Sequence, residues 1–349
     1  LREISSSVYD WNAEESAIIS NNTTLPNPFS PAAPTLTVSD ALTTFNQEAI
    51  TVLQATVSST DSFVDQFEVP NSYLDLRTLL ESQKLDVLVI TTWPSSHLKN
   101  VLEAVRAKVK KVLCEKPLAI NTKQVEQMIQ VVRKLQTNNT PVLLTEAFMY
   151  RHHPLTQEVR SKIRDGKIGE LRSINLVFNT GLTDQTNWRL RGDLGGGTMM
   201  DLGCYCIDLI NYLIDQSPRS VYATGNYSYG TNAWETMYAI IRYNDRLVAQ
   251  IDTGFGMCWR EYYEIVGSEG VIRVNPAWGN NIGECQFWLN DKPVVVEGLN
   301  PYLAEILNLC HAESQSDLIM PLTDSLRNMK LIDAVHESAH AGQVVQFID

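Results

Sequence analysis

The sequence predicts an α/β protein of two domains: a doubly wound parallel sheet, then an α+β domain with a large open, mostly antiparallel sheet. The chain has 349 residues, which is too long for one ordinary domain. Up to residue 150, short apolar runs alternate with amphipathic segments, as in a parallel sheet flanked by helices. Beyond it, longer runs alternate apolar with polar residues, as antiparallel strands do. We therefore place the domains at 1–150 and 151–349.

In the first domain, short runs rich in apolar and β-branched residues predict strands. These strands cover 16–20, 50–57, 85–91, 111–115 and 141–145. Other segments carry apolar residues at helical spacing, as Leu98, Val101, Leu102 and Val105 do. The predicted helices cover 61–67, 76–83, 96–108 and 122–135. This alternation of strands and helices implies parallel strands joined by right-handed crossovers.

In the second domain, alternating patterns predict longer strands. They cover 173–178, 220–225, 236–243, 246–255, 261–266 and 270–274. A helix at 154–163 opens this domain, and two helices at 302–312 and 321–341 close it. Strands of this kind predict an open sheet with one face covered by helices.

Composition excludes several classes of protein. With 44% hydrophobic and 19% charged residues, the chain is typical of globular proteins. Its net charge of −12 argues against nucleic-acid and membrane partners, because phosphate groups attract clustered Lys and Arg. No apolar run is long enough to cross a bilayer, and the acidic N-terminal segment is unlike a signal peptide. The six cysteines are scattered, which favours free thiols in the cytoplasm over disulfides or a metal site.

Four segments together resemble a known family. They are 114–119 (CEKPLA), 146–151 (EAFMYR) with Pro154, 195–205 (GGGTMMDLGCY) and 266–270 (VGSEG). In order and spacing they are similar to signatures of the Gfo/Idh/MocA oxidoreductases, in the aldose and dihydrodiol dehydrogenase branch. The resemblance implies a Rossmann-like first domain and hydride transfer between NADP or NAD and a small sugar, polyol or cyclic diol. It also implies a homodimer or homotetramer formed through the open sheet of the second domain.

The catalytic group implied by the resemblance is Lys116, Asp201 and Tyr205. Asp201, Tyr205 and Asp208 have the i, i+4, i+7 spacing of one helix face. Lys116 follows a predicted parallel strand, at the edge where doubly wound folds bind ligands. As a cation near Tyr205, it could lower the pKa of the phenol enough for proton exchange with a carbinol oxygen. The plainer alternatives are a solvated lysine in a turn, an aspartate at a helix start and a core tyrosine.

The resemblance also implies binding residues. Those expected at the cofactor are Ser58, Ser59, Thr91, Pro94, His97, Glu115 and Lys116. Those expected at the substrate are Tyr150, Trp188, Arg189 and Asp201. His97 is equally interpreted as an ordinary residue at a helix start, and Arg189 as a surface residue.

The expected phosphate-binding loop departs from its usual pattern. All 18 glycines lie at Gly166 or later, so the G-x-G-x-x-G turn of a dinucleotide site is absent from the first domain. The segment 21–24 (NNTT) is the nearest substitute, since Asn tolerates left-handed backbone and Thr donates hydrogen bonds. The second strand ends in Val57, Ser58 and Ser59 without an acid for the ribose, which favours NADP over NAD.

Two other functions remain open at this point. The same acid–base set could catalyse a cofactor-independent isomerisation, elimination or cyclisation, an interpretation motivated by the glycine-free first half. A non-catalytic binding or regulatory protein on an enzyme scaffold is the other alternative, and the retained Lys116, Asp201 and Tyr205 count against it.

Overall fold

A three-stranded parallel sheet forms the centre of the N-terminal domain. The computed structural model describes residues 15–19, 50–54, 71–137, 142–228, 230–279 and 282–347. The sheet has the order β4-β5-β6. Its strands are β4 (Val87–Ile90), β5 (Lys111–Glu115) and β6 (Leu143–Ala147). Both neighbouring pairs are parallel, which confirms the doubly wound arrangement predicted for this region.

Three further strands continue this domain with one departure from the prediction. They are β1 (Glu15–Ile19), β2 (Ile50–Gln54) and β3 (Asn71–Tyr73), and β1 also contacts β4. β2 and β3 are parallel, but β1 and β2 are antiparallel, so the prediction of parallel strands was wrong for β1. The sequence after β1 has no glycine for the tight turn that usually starts a parallel crossover. The predicted helix at 61–67 and the loop at 21–24 lie outside the described residues.

Helices cover one face of the parallel sheet. They are α1 (Leu76–Ser82), α2 (Pro94–Arg106) and α3 (Thr122–Thr137). Asp75 begins α1, because its carboxylate accepts the backbone N–H of Thr78 at 2.8 Å. Val101 of α2 and Val125 of α3 are fully buried against the sheet. The helices predicted from apolar spacing are confirmed, with shifts of one or two residues at their ends.

A helix of the second domain covers the other face of the parallel sheet. Helix α4 (Pro154–Arg164) begins the second domain; α5 (Cys204–Leu213), α6 (Pro301–His311) and α7 (Leu322–Ala341) follow. In α6, Leu309 packs in one buried cluster with Leu113 and Leu143 of the parallel sheet. The N-terminal sheet is therefore completed by C-terminal residues.

The second domain contains a nine-stranded sheet in the order β14-β13-β12-β11-β7-β10-β9-β8-β15. Its strands are β7 (Leu171–Asn179), β8 (Ser220–Tyr227), β9 (Trp234–Arg242), β10 (Val248–Gly254), β11 (Arg260–Gly267), β12 (Val271–Val274), β13 (Gly283–Leu289), β14 (Lys292–Gly298) and β15 (Val345–Gln346). Every neighbouring pair is antiparallel except β7 and β10, which confirms a large, mostly antiparallel sheet. The sequence analysis missed the hairpin of β13 and β14. Its turn residues Asn290 and Asp291 have φ of 50° and 61°, which suits these residue types.

A buried ion pair links the segment that follows β6 to two helices of the second domain. Arg151, just after β6, donates from Nε and Nη2 to the two carboxylate oxygens of Asp208 on α5, at 2.8 and 2.7 Å. Both side chains are fully buried. Arg151 also donates from Nη1 to Asp324 at 2.8 Å, and Asn328 donates to Asp208 at 2.6 Å. The pair thus connects the end of the parallel sheet to α5 and α7.

We expect Arg151→Met to lower the free energy of unfolding by about 3–5 kcal/mol, because it leaves the Asp208 carboxylate buried without its cation. Urea unfolding measures this loss. The matched control is Arg160→Met, whose guanidinium lies on the ring of Tyr212 at 3.9 Å and which should cost about 1 kcal/mol or less. Equal losses in the two variants would contradict a special role for the buried pair.

Candidate active site

Lys116 lies at the carboxyl end of β5 and points at Asp201. Its Nζ donates to the Asp201 carboxylate at 2.9 Å and to the Asp201 backbone oxygen at 2.7 Å. The exposed fractions of the two side chains are only 14% and 8%. The structure therefore brings together two of the three residues predicted to be catalytic, one from each domain.

The other carboxylate oxygen of Asp201 accepts a hydrogen bond from Nε of Arg189 at 2.8 Å. Burial by itself would raise the pKa of Asp201, but Arg189 and Lys116 outweigh it and lower the pKa to about 2. Burial would likewise lower the pKa of Lys116, yet the Asp201 charge holds it above its usual value. The Arg189 guanidinium also lies 4.9 Å from the ring centre of Trp188. Of the residues predicted at the substrate, Arg189 therefore binds the charged pair directly, and Trp188 packs on Arg189.

The glycine-rich segment allows Asp201 to reach this position. A Cβ on Gly195 would lie 2.8 Å from Cβ of Pro94, and one on Gly196 would lie 2.6 Å from the Arg189 carbonyl oxygen. These glycines therefore permit close packing against the start of α2 and against the loop before them. Asp201 follows within a π-helical turn, Met199–Gly203, and α5 begins only at Cys204.

This π-helical turn corrects the prediction of one continuous helix face. Such turns add a residue to the helical repeat, so i, i+4, i+7 spacing does not hold across the junction. Asp201 binds Lys116, whereas Asp208 binds the buried Arg151. The two carboxylates therefore belong to different clusters.

Tyr205 lies beside Lys116, with the Lys116 Nζ 4.9 Å from the centre of its ring. Its hydroxyl is 3.7 Å from the sulfur of Met149. The ring is surrounded by aromatic side chains at centroid distances of 5.4–5.9 Å: Phe148, Tyr150, Phe178 and Trp278. Burial raises the pKa of Tyr205 well above its usual value, which is opposite to the lowering proposed from the sequence. Burial therefore favours the protonated form of the phenol, whose hydroxyl faces Met149.

Two predicted binding residues have structural contacts instead. Tyr150 is 3% exposed, and its hydroxyl donates to the Asp208 carboxylate, so this end of the side chain faces the buried ion pair. His97 is fully buried, with Nδ1 3.0 Å from the Pro117 oxygen and Nε2 2.6 Å from the Thr92 oxygen. It joins two turns at the edge of the sheet, away from any exposed surface.

Glu146 also supports the turn that carries Lys116. It is 2% exposed and accepts the backbone N–H of Leu118 at 2.8 Å. Burial is the main cause that raises the pKa of this carboxyl to about 7. Lys116 therefore starts a turn that is held by Glu146 on one side and by His97 on the other.

The remaining predicted cofactor residues lie at the carboxyl edge of the parallel sheet. Thr91, just after β4, is 6% exposed, and its hydroxyl has no hydrogen-bond partner in the described part of the chain. Pro94 is the first residue of α2, and Glu115, at the end of β5, accepts the backbone N–H of Lys116 at 3.1 Å. An unpartnered hydroxyl at this edge fits the nicotinamide end of a dinucleotide. Ser58 and Ser59 lie outside the described residues.

Helix α6 also contributes to the site, which the sequence did not predict. Glu305, on this helix, is 3% exposed, and burial followed by the charge of Glu115 raises its pKa well above the usual value. An acidic residue among the apolar residues Ala304, Ile306 and Leu307 was the available signal. Tyr302, one turn earlier, interacts electrostatically with Tyr205. This turn of α6 therefore also borders the site.

Within the described ranges, no group of three or more His, Cys, Asp or Glu could hold a metal ion. The helices described there include none long and apolar enough to span a membrane. All six cysteines lie within the described ranges, and no disulfide bond joins any two of them.

The fold and the site define a class: a protein with a ligand-binding edge on a parallel sheet and a Lys–Asp pair contributed by two domains. Two family models match the chain. The one described as "Oxidoreductase family, NAD-binding Rossmann fold" covers residues 34–140, and the "GFO/IDH/MocA C-terminal domain" covers residues 156–273. The chain belongs to the Gfo/Idh/MocA oxidoreductase family, as the sequence motifs predict.

Named relatives are similar over much of the chain. The D-xylose 1-dehydrogenase (NADP(+)) 2 of Haloferax volcanii is 26% identical over 86% of this chain and 92% of its own. The trans-1,2-dihydrobenzene-1,2-diol dehydrogenase of Xenopus laevis is 27% identical over 66% of this chain and 67% of its own.

Solved structures share the fold. An aldose-aldose oxidoreductase from Caulobacter crescentus, complexed with glycerol, has a TM-score of 0.74 at 22% identity, over 84% of this chain and 90% of its own. A 3-ketoreductase from Actinomadura kijaniata, in complex with NADP and TDP-benzene, has a TM-score of 0.74 at 24% identity, over 83% of this chain and 89% of its own.

We expect Asp201→Asn to lower the free energy of unfolding at pH 7 by about 2 kcal/mol. The reason is that the pKa of Asp201 is about 3.9 in the unfolded chain and only about 2 in the folded protein. A lowered pKa stabilises the folded state above pH ~4, and this stabilisation is lost as pH falls through the folded value, about 2. The difference in free energy of unfolding between wild type and variant, measured by urea unfolding, should therefore become smaller as the pH falls from about 4 to about 2. Asp193→Asn, which breaks an exposed pair with Arg191, is the control and should change little. A gap that is independent of pH would contradict this expectation.

Proposed function

We propose that this protein is an NADP- or NAD-dependent dehydrogenase or reductase acting on a sugar, polyol or cyclic diol. The observation that carries the proposal is the buried pair of Lys116 and Asp201 at the carboxyl edge of the parallel sheet, beside Tyr205. A bound nicotinamide would accept or supply the hydride at the substrate carbon.

Lys116 is the group suited to bind the reacting oxygen. Asp201 keeps its ammonium charged and fixes its direction, so the ammonium can stabilise negative charge that develops on a carbinol or carbonyl oxygen. In reduction, the oxygen must also gain a proton. Tyr205, whose ring lies beside the ammonium, is the group we assign to donate this proton in reduction.

The substrate class is supported by the walls of the site and by the relatives. Phe178 and Trp278 surround Tyr205, and Trp259, which is 51% exposed, extends the aromatic surface from Phe178 at 6.2 Å. Aromatic faces of this kind suit the apolar face of a sugar ring or a cyclic diol. The relatives act on D-xylose and on a dihydrodiol by name, and one is named for NADP. Together with the missing acid after β2, this favours NADP.

Titration of the purified protein with NADPH and with NADH, followed by nicotinamide fluorescence, tests the proposal. We expect a dissociation constant on the order of micromolar, smaller for NADPH, and NADP⁺-dependent oxidation of D-xylose or trans-dihydrobenzenediol. Binding of neither dinucleotide by the folded protein would end the dehydrogenase proposal and favour redox-neutral or regulatory functions.

We expect Lys116→Ala and Tyr205→Phe each to lower kcat by about 10²–10⁴-fold, because each removes a proposed hydrogen-bond or proton donor at the reacting oxygen. Steady-state kinetics measure the loss, and fluorescence titration checks that dinucleotide still binds. Tyr243→Phe removes a buried hydroxyl outside the site and is the matched control. Unchanged kcat in Lys116→Ala would contradict the assigned role.

We also propose that the protein assembles as a homodimer or homotetramer through its open sheet, and that it works in the cytoplasm, which its free cysteines favour. One face of the sheet exposes large side chains on the neighbouring strands β8 and β9 and on β11: Tyr222, Tyr238, Ile240 and Tyr262. Tyr222 and Ile240 are direct cross-strand partners, so the apolar surface is continuous there. Such a patch on a folded chain is typical of an interface.

Ile240→Lys should convert the assembly to monomers, because it places a charge at the centre of the proposed interface. Analytical ultracentrifugation measures the mass. Leu74→Lys, at an exposed apolar residue just before α1 in the N-terminal domain, should leave it unchanged. A monomeric wild type, or an assembly that survives Ile240→Lys, would contradict the proposal.

A further inference from the structure

Helix α6 packs against β5 near the C-terminal end of the helix. Alternate residues of a strand point to one side, so Lys111, Leu113 and Glu115 share a face. The Lys111 ammonium donates to the backbone oxygen of Cys310, and Leu113 shares a buried cluster with Leu309. The face of β5 therefore meets α6 from its C-terminal end inward.

The same alignment brings Glu305 to Glu115. Glu305 precedes Leu309 by four residues, so the two lie on one face of α6. In the described part of the chain, Glu115 is the titratable group whose charge acts on Glu305. Glu305 and Glu115 are therefore placed on the facing sides of α6 and β5, next to the turn that starts at Lys116.

Glu305 has an unmet hydrogen-bonding capacity. Its side chain is 3% exposed, and its Oε1 has no hydrogen-bond partner among the described residues. A carboxylate buried in this way is costly, whereas a neutral carboxylic acid can donate a hydrogen bond. Glu115 can accept it, since it carries a second carboxylate oxygen besides the Oε2 that accepts the Lys116 N–H.

We propose that Glu305 is a positioning residue of the active site, which donates a hydrogen bond from its un-ionised carboxyl group to the Glu115 carboxylate. The pair then carries one negative charge, and Glu115 is held against the Lys116 turn. Glu115 in turn places a single negative charge behind the Lys116 ammonium, which Asp201 and Arg189 border on the other side.

The role in catalysis rests on the proposed function, but the hydrogen bond does not. It is therefore tested first without cofactor or substrate, by infrared difference spectra of the protein in H₂O and D₂O at about pH 9, where Glu146, whose pKa is about 7, is ionised. We expect the carbonyl band of a protonated carboxyl group to be absent from Glu305→Gln. In Glu115→Gln the band should remain and shift, because its hydrogen-bond acceptor has changed. Glu313→Gln, at an exposed carboxyl just after α6, should change nothing. A Glu305→Gln spectrum that keeps the full band would overturn the proposal.

Kinetics with NADP⁺ and D-xylose then separate positioning from packing. Glu305→Gln keeps the size and an N–H donor, so kcat should stay within about twofold of wild type. Glu305→Met fills the same space without a donor, and kcat should fall by about tenfold or more, as expected for a lost hydrogen bond to a charged group. That loss should disappear in a Glu115→Gln background.

The two measurements fail in different ways. A wild-type protein that binds no dinucleotide would remove the proposed function, while the infrared result would still decide the hydrogen bond. Full activity in Glu305→Met, or a loss that is independent of Glu115, would overturn the positioning role even where the band is assigned to Glu305.

Discussion

The hydrogen-bonded ion pair between Arg151 and Asp208 fixes the relation between the two halves of the active site. Lys116 belongs to the parallel sheet and Asp201 to the segment that starts α5, so their meeting depends on how α5 sits against the sheet. Arg151 donates two parallel hydrogen bonds to the Asp208 carboxylate. This bidentate geometry fixes the relative orientation of the two side chains as well as their distance. Asn328 of α7 donates a further hydrogen bond to the Asp208 carboxylate. This additional bond helps to offset the cost of removing the ion pair from water.

The position of Lys116 is fixed by contacts with several parts of the chain. Asp201 lies between two cations, and the turn beside it is held by His97 and Glu146. None of these contacts has to form during a reaction, so charge developing on a bound oxygen would meet groups already in place. This is the electrostatic preorganisation on which enzymes depend for much of their rate.

Much of this was readable from the sequence because it follows local rules. Apolar spacing predicted α2 and α3, and the motif at 114–119 placed Lys116 after a parallel strand. Three features were not local. The π-helical turn at Asp201 depends on how glycines pack against α2, and the position of Glu305 depends on a contact with a strand about 190 residues away. His97 lies in the first turn of α2. Helix propensity does not distinguish a buried histidine that bonds to the backbone from one that binds a ligand.

The packing of α6 against the parallel sheet has a consequence for folding during synthesis. Leu113 and Leu143 of the first domain are covered by Leu309 of α6, which is synthesised about 160 residues after the last strand of the parallel sheet. A nascent chain that has emerged only to residue 298 therefore still exposes one apolar face of its parallel sheet, a surface that chaperones recognise and that favours aggregation. For the same reason, an isolated fragment of residues 1–150 would make a poor soluble domain, and a graft of this sheet onto another scaffold would have to include α6.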